Sequence, residues 1–124
     1  MIRRTWMLIG WLGVVLALVF SLGPSMLDKD SGQTDKFVHL ASYATLMFWW
    51  AQLVVRRRWR LALAVILYGI VIEGLQGLTP NRQPDVFDAL ANSAGVLIGW
   101  LAARLLPNLP AQLAALPALQ RLGL

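Results

Sequence analysis

Four apolar runs, each about as long as a bilayer is thick, leave this chain few folds to choose from. They cover residues 6–22, 37–55, 61–78 and 86–106. Each holds 17–21 residues, roughly 26–32 Å as α-helix, which matches the hydrocarbon layer. A segment in lipid has to satisfy its own backbone hydrogen bonds, so it is a helix or part of a closed barrel. The runs lack strict alternation, and a barrel needs more strands than four. The expectation is an all-α membrane bundle of four transmembrane helices. The 58% of hydrophobic residues agrees, since they come in runs rather than in short amphipathic stripes.

The breaks between the runs are chemically distinct. Gly23-Pro24 ends the first, because proline cannot continue the helical ladder and restricts the residue before it. Arg56-Arg57-Arg58-Trp59-Arg60 separates the second from the third. Thr79-Pro80-Asn81 ends the third, and Pro107-Asn108 ends the fourth. The first run follows Arg3 and Arg4 as a signal peptide would. Ser21-Leu22-Gly23-Pro24-Ser25-Met26 offers no good small-x-small cleavage site, so an uncleaved first helix is expected.

Four crossings place Arg3, Arg4, Arg56, Arg57, Arg58, Arg60, Arg104 and Arg121 on one side, and Lys29, Lys36 and Arg82 on the other. By the positive-inside rule both termini are then cytoplasmic, and residues 23–36 and 79–85 face outward. Trp49, Trp50 and Trp59 sit near the inner interface. The net charge of +5 is thereby assigned to orientation, and no basic face is left for nucleic acid. The chain has no cysteine, which excludes disulfides, zinc–thiolate sites and cysteine nucleophiles. The organisation expected is a four-helix domain over residues 1–106, followed by a cytoplasmic tail at the membrane surface over 107–124. In the tail, Leu109, Leu113, Leu116 and Leu119 fall at helical spacing, while Pro110 and Pro117 make it short and irregular.

All six acidic residues fall toward the end opposite the arginine clusters, and Glu73 and Asp88 lie inside apolar runs. A carboxylate in hydrocarbon is costly, so one that persists faces a cavity, a partner or a substrate. Three groups converge there. Asp35-Lys36-Phe37-Val38-His39-Leu40-Ala41-Ser42-Tyr43 opens the second run, with Lys36, His39 and Tyr43 on one helical face. Thr34 or Asp35 is a plausible N-cap, and Asp35 is placed to reach His39. Glu73 and Gln76 share a face near the end of the third run. Asn81-Arg82-Gln83-Pro84-Asp85-Val86-Phe87-Asp88 leads into the fourth. There Asp88 and Asn92 continue Asp85, and Gly95 and Gly99 extend the same seam as a surface for close packing.

Each group also has a purely structural reading. Lys36 and Arg82 can flank the membrane, His39 can bridge helices, and Tyr43 can be an interface aromatic. Asn92 can join helices. Glu73 and Asp88 can be neutralised by pairing with Arg82 or Lys36.

The chain resembles the VanZ-like family of small multi-spanning membrane proteins over roughly residues 35–100. The resemblance rests on Asp35-Lys36-Phe37-Val38-His39 with Tyr43, on Glu73-Gly74-Leu75-Gln76, and on Asn81-Arg82-Gln83-Pro84-Asp85-Val86-Phe87-Asp88. It ends with Asn92-Ser93-Ala94-Gly95 and Gly99. It implies a multi-pass protein of the bacterial cytoplasmic membrane. The family's namesake is associated with low-level resistance to the lipoglycopeptide teicoplanin, an antibiotic-resistance phenotype of the cell envelope.

The first functional expectation is therefore a polar site at the extracytoplasmic end that binds or remodels a lipid-linked envelope component or a lipoglycopeptide. Asp35, Lys36, Tyr43, Gln76, Asn81, Arg82, Asp85 and Asn92 would hold it, with Lys36 and Arg82 on a phosphate or carboxylate. The alternative is an enzyme on a lipid-borne substrate, with His39, Glu73 and Asp88 as catalytic groups. His39 would be a general base oriented by Asp35 or Glu73. A metal version of it would place Mg²⁺ or Mn²⁺ on His39, Glu73, Asp85 and Asp88. A small transporter or accessory subunit, acting as an oligomer, is a second alternative.

Overall fold

The computed structural model describes residues 1–22, 32–78 and 86–124, with backbone alone for 32–35. It is all α. Four long helices, α1 (Ile2–Leu22), α2 (Gly32–Ala51), α3 (Arg58–Gln76) and α4 (Val86–Leu105), are followed by two short ones, α5 (Leu109–Ala114) and α6 (Pro117–Arg121). Three stretches are long and apolar enough to cross a membrane: α1, α3 and the stretch Val86–Arg121 that opens with α4. The second helix has 20 residues, the same reach, but Gln33, Asp35, Lys36 and His39 make its first half more polar than the others. The chain is thus a multi-pass membrane protein by helix length and hydropathy.

Cross-helix bonds fix the directions. The beginning of α1 meets the end of α2, where Trp6 and Trp49 stack at 3.9 Å with a 12° interplanar angle. Each indole N–H of this pair donates to the other residue's backbone carbonyl, at 3.0 and 2.8 Å. Along α3, Tyr68 Oη donates to the Val14 carbonyl (2.6 Å) and Gln76 Nε2 to the Ser21 carbonyl (2.8 Å). Hence α1 runs antiparallel to α2 and parallel to α3. The most extensive contact joins α2 and α4, which run parallel. Gly95 and Gly99 set its closeness: a Cβ on Gly95 would strike the Leu40 carbonyl, and one on Gly99 the Ala44 carbonyl. The expected small-residue seam is therefore used inside one molecule, beside a core of Tyr43, Met47, Ala51, Val96 and Ala103.

The helix ends differ in places from the sequence expectation. Because α2 begins at Gly32, Thr34 and Asp35 lie in its first turn and not at an N-cap. It ends at Ala51, four residues before the apolar run does, because side chains take over the last carbonyls. Arg58 Nε donates to the carbonyls of Ala51 and Val54 (3.1 Å each), and Nη2 donates to Ala51 (2.8 Å). Arg58 Nη1 continues to the Ala103 carbonyl near the end of α4 (3.3 Å). Arg57, in the left-handed region at φ 54°, turns the chain so that this is possible.

The tail is more regular than its prolines suggest. Gln52, fully buried, donates from Nε2 to the Leu106 carbonyl (2.9 Å) and accepts from the Leu109 amide (2.8 Å). That clamp holds the turn through Asn108, also left-handed at φ 54°. It starts α5, whose Pro110 is buried and which packs on α1.

Candidate functional site

The polar groups gather where α2 and α4 begin and α3 ends. Lys36, His39 and Tyr43 do share one face of α2, and two of them meet α4 in register. Lys36 Nζ lies 3.5 Å from Asp88 Oδ1. One turn deeper, His39 Nδ1 lies 3.0 Å from Asn92 Oδ1. The pairing follows from the parallel packing: once Gly95 and Gly99 bring the two backbones together, residues 36 and 39 face residues 88 and 92. Asp88, in the first turn of α4, also faces the positive end of that helix's dipole. The bond between His39 Nδ1 and the Asn92 side chain fixes the position of the imidazole between α2 and α4.

Burial deepens along the ladder. The Lys36 and Asp88 side chains are 38% and 13% exposed, whereas Asn92 and Tyr43 are only 3% and 5% exposed. The Tyr43 ring crosses to α3 at Gly69, where a methyl would stand 3.0 Å from the ring and 3.3 Å from its hydroxyl. Its hydroxyl is buried and has no hydrogen-bond partner among the described residues. Glu73, one turn along α3 from Gly69, is also buried and lies within electrostatic range of Tyr43.

Of the residues singled out in the sequence, Lys36, His39, Tyr43, Glu73, Asp88 and Asn92 are brought to this end. Gln76 is there too, but its amide donates to the Ser21 carbonyl, so it ties α3 to α1. The Asp35 side chain and all of Asn81, Arg82 and Asp85 lie outside the described residues. The partner described for His39 is Asn92, an amide. Three of the structural readings are realised, since Lys36 pairs with Asp88 while His39 and Asn92 join two helices. Among the described residues, no three His, Asp or Glu side chains could hold a metal ion together. Gly69 escaped the sequence reading; a lone glycine inside the apolar run after Tyr68 was its only signal.

The chain belongs to the VanZ/LLP1 family, which it matches over residues 16–107. That span includes α2, α3, α4 and all of the polar groups described above. No curated protein and no solved structure matches the chain.

Proposed function

We propose that this membrane protein holds the polar head group of a lipid-linked envelope component, or of a lipoglycopeptide, at the end of the bundle where α2 and α4 begin. The observation that carries the reading is Tyr43. Its hydroxyl is buried and without a protein partner among the described residues, a state that costs about 1–3 kcal/mol. A donor kept in that state at the foot of a graded polar ladder suits a ligand oxygen. Above it, Lys36 and Asp88 offer both charges at the rim, for a phosphate or carboxylate and for an amine or sugar hydroxyl. The acyl part would stay in lipid beside the exposed Phe37 and Phe87.

The arginine asymmetry supports an extracytoplasmic position for this site in the bacterial cytoplasmic membrane, with both termini inside and all four long helices crossing. On that reading residues 1–106 form the membrane domain, and 107–124 lie on the cytoplasmic surface.

The test is genetic and chemical. A deletion strain should change its sensitivity to teicoplanin-like lipoglycopeptides or other envelope-directed drugs. The wild-type gene should restore it, and Tyr43→Phe and Lys36→Gln should not, at equal protein level. A deletion strain that responds like its parent to the whole panel would end the proposal.

A second reading, an enzyme on a lipid-borne substrate, is favoured by the His39–Asn92 bond, which holds the imidazole in one place at this end of the bundle, as a general base requires. Purified protein would show turnover that His39→Ala abolishes; equal turnover by that variant would remove the role.

A further inference from the structure

The opposite end of the bundle has a charge imbalance that orientation alone does not use. Contacts between Trp6 and Trp49, and between Arg58 and Ala103, gather the start of α1, the α2–α3 turn and the end of α4 there. Eight of the nine arginines come with them. Arg58 is turned inward and spends its guanidinium on backbone carbonyls. Arg3, Arg4, Arg56, Arg57, Arg60, Arg104 and Arg121 are exposed. Among the described residues none of these seven forms an ion pair, and the carboxylates Glu73 and Asp88 lie at the other end. Like charges gathered at one end repel, and among the described residues no side-chain carboxylate pairs with them.

What adjoins these arginines decides the kind of anion. Val55 precedes Arg56 and is 50% exposed; Trp59 is 51% exposed, with the Arg60 guanidinium 5.3 Å from its ring. Leu105 and Leu106, which follow Arg104, are 75% and 54% exposed. Through Arg58 these two groups share one corner of the bundle. Exposed apolar surface interleaved with unneutralised guanidinium suits a ligand that brings a phosphate and an acyl chain together, and it suits a free anion poorly. We propose that the corner formed by Arg56, Arg57, Arg60 and Arg104 binds anionic phospholipid, with the phosphate on the guanidiniums and the acyl chains along Trp59, Leu105 and Leu106.

Native mass spectrometry of the purified full-length protein in mixed phosphatidylglycerol and phosphatidylcholine tests this. Phosphatidylglycerol should be retained in preference by about tenfold or more, and the triple variant Arg56→Gln/Arg57→Gln/Arg60→Gln should lose the preference. The matching Arg→Lys triple should keep part of it, since lysine retains the charge without the planar fork. The head-group site proposed above is read by drug sensitivity in cells and this corner by lipid retention, so the two proposals fail separately. Raising the ionic strength should weaken the preference in the wild-type protein, a reading that requires no variant to fold. Inorganic phosphate at the same concentration should not displace the lipid. Equal retention of the two lipids, an unchanged preference in the glutamine triple, or full displacement by phosphate would overturn the proposal.

Discussion

The backbone of Gly95 in α4 sits against the Leu40 carbonyl of α2 with no room for a methyl group between them. That contact fixes how the polar ladder meets, because in two parallel helices 88 and 92 precede 95 while 36 and 39 precede 40, on the same side of the contact. Gly95→Ala must push the helices apart, and backbone cannot yield as a side chain tip does. We expect a loss of about 1–3 kcal/mol, the usual cost of overpacking. Gly74 provides the control, since a Cβ there meets nothing within 4 Å. Gly74→Ala should be neutral or stabilising by up to about 1 kcal/mol, because alanine is the better helix former. Thermal unfolding followed by circular dichroism in detergent reads both. A Gly95→Ala protein that melts with the wild type would refute the close packing.

The first helix buries only Gly10 completely, so its attachment depends on a few specific groups. The Trp6–Trp49 stack is one, and the two indole N–H groups go to backbone carbonyls that survive truncation of the partner ring. A double-mutant cycle of Trp6→Ala and Trp49→Ala therefore isolates ring stacking. The coupling should be about 0.5–1.5 kcal/mol. Strictly additive losses would mean that the rings do not stack in the membrane.

Arg58 and Arg57 are neighbours in one arginine run, yet a lysine at each should have different consequences. Arg58 uses three of its nitrogens on the carbonyls of Ala51, Val54 and Ala103, at the negative ends of two helix dipoles. Lysine lacks the fork that reaches them together. Arg58→Lys should cost about 1–2 kcal/mol in the same melting assay, and Arg57→Lys should stay within about 0.5 kcal/mol. Equal effects would show that the guanidinium does not clamp α2 to α4.

That contrast also shows where the sequence stops being readable. The four runs and their breaks locate the long helices to within a few residues, because hydrophobic length is a one-dimensional property. That Lys36, His39, Tyr43, Glu73, Asp88 and Asn92 fall toward one end was readable for the same reason. Their partners were not. Lys36 could meet Asp88 or another carboxylate until Gly95 and Gly99 fix how α2 lies on α4, and that is a property of two segments together. Gln52 and Arg58 look like ordinary flanking residues, and only the left-handed turns at Arg57 and Asn108 carry the chain so that they reach the carbonyl ends. The start of the first tail helix follows from the Gln52 clamp, which Leu109, Pro110 and their neighbours do not reveal by themselves.

Tyr43 separates stability from function. Its ring fills the space beside Gly69, so Tyr43→Phe keeps the packing and removes only a buried hydroxyl that has no partner among the described residues. Deleting such a group relieves a desolvation cost, and the variant should melt at the same temperature as the wild type or above it, by up to about 1 kcal/mol. In the complementation assay the same variant should fail, because the hydroxyl is the donor assigned to the ligand. His39→Phe is the counterpart, since it strips Asn92, buried at 3% exposure, of its described partner. It should lose stability by about 1–2 kcal/mol as well as function. A Tyr43→Phe protein that complements fully would leave the phenol with a packing role alone, and a Tyr43→Phe protein that melts early would mean that the hydroxyl is bonded within the fold.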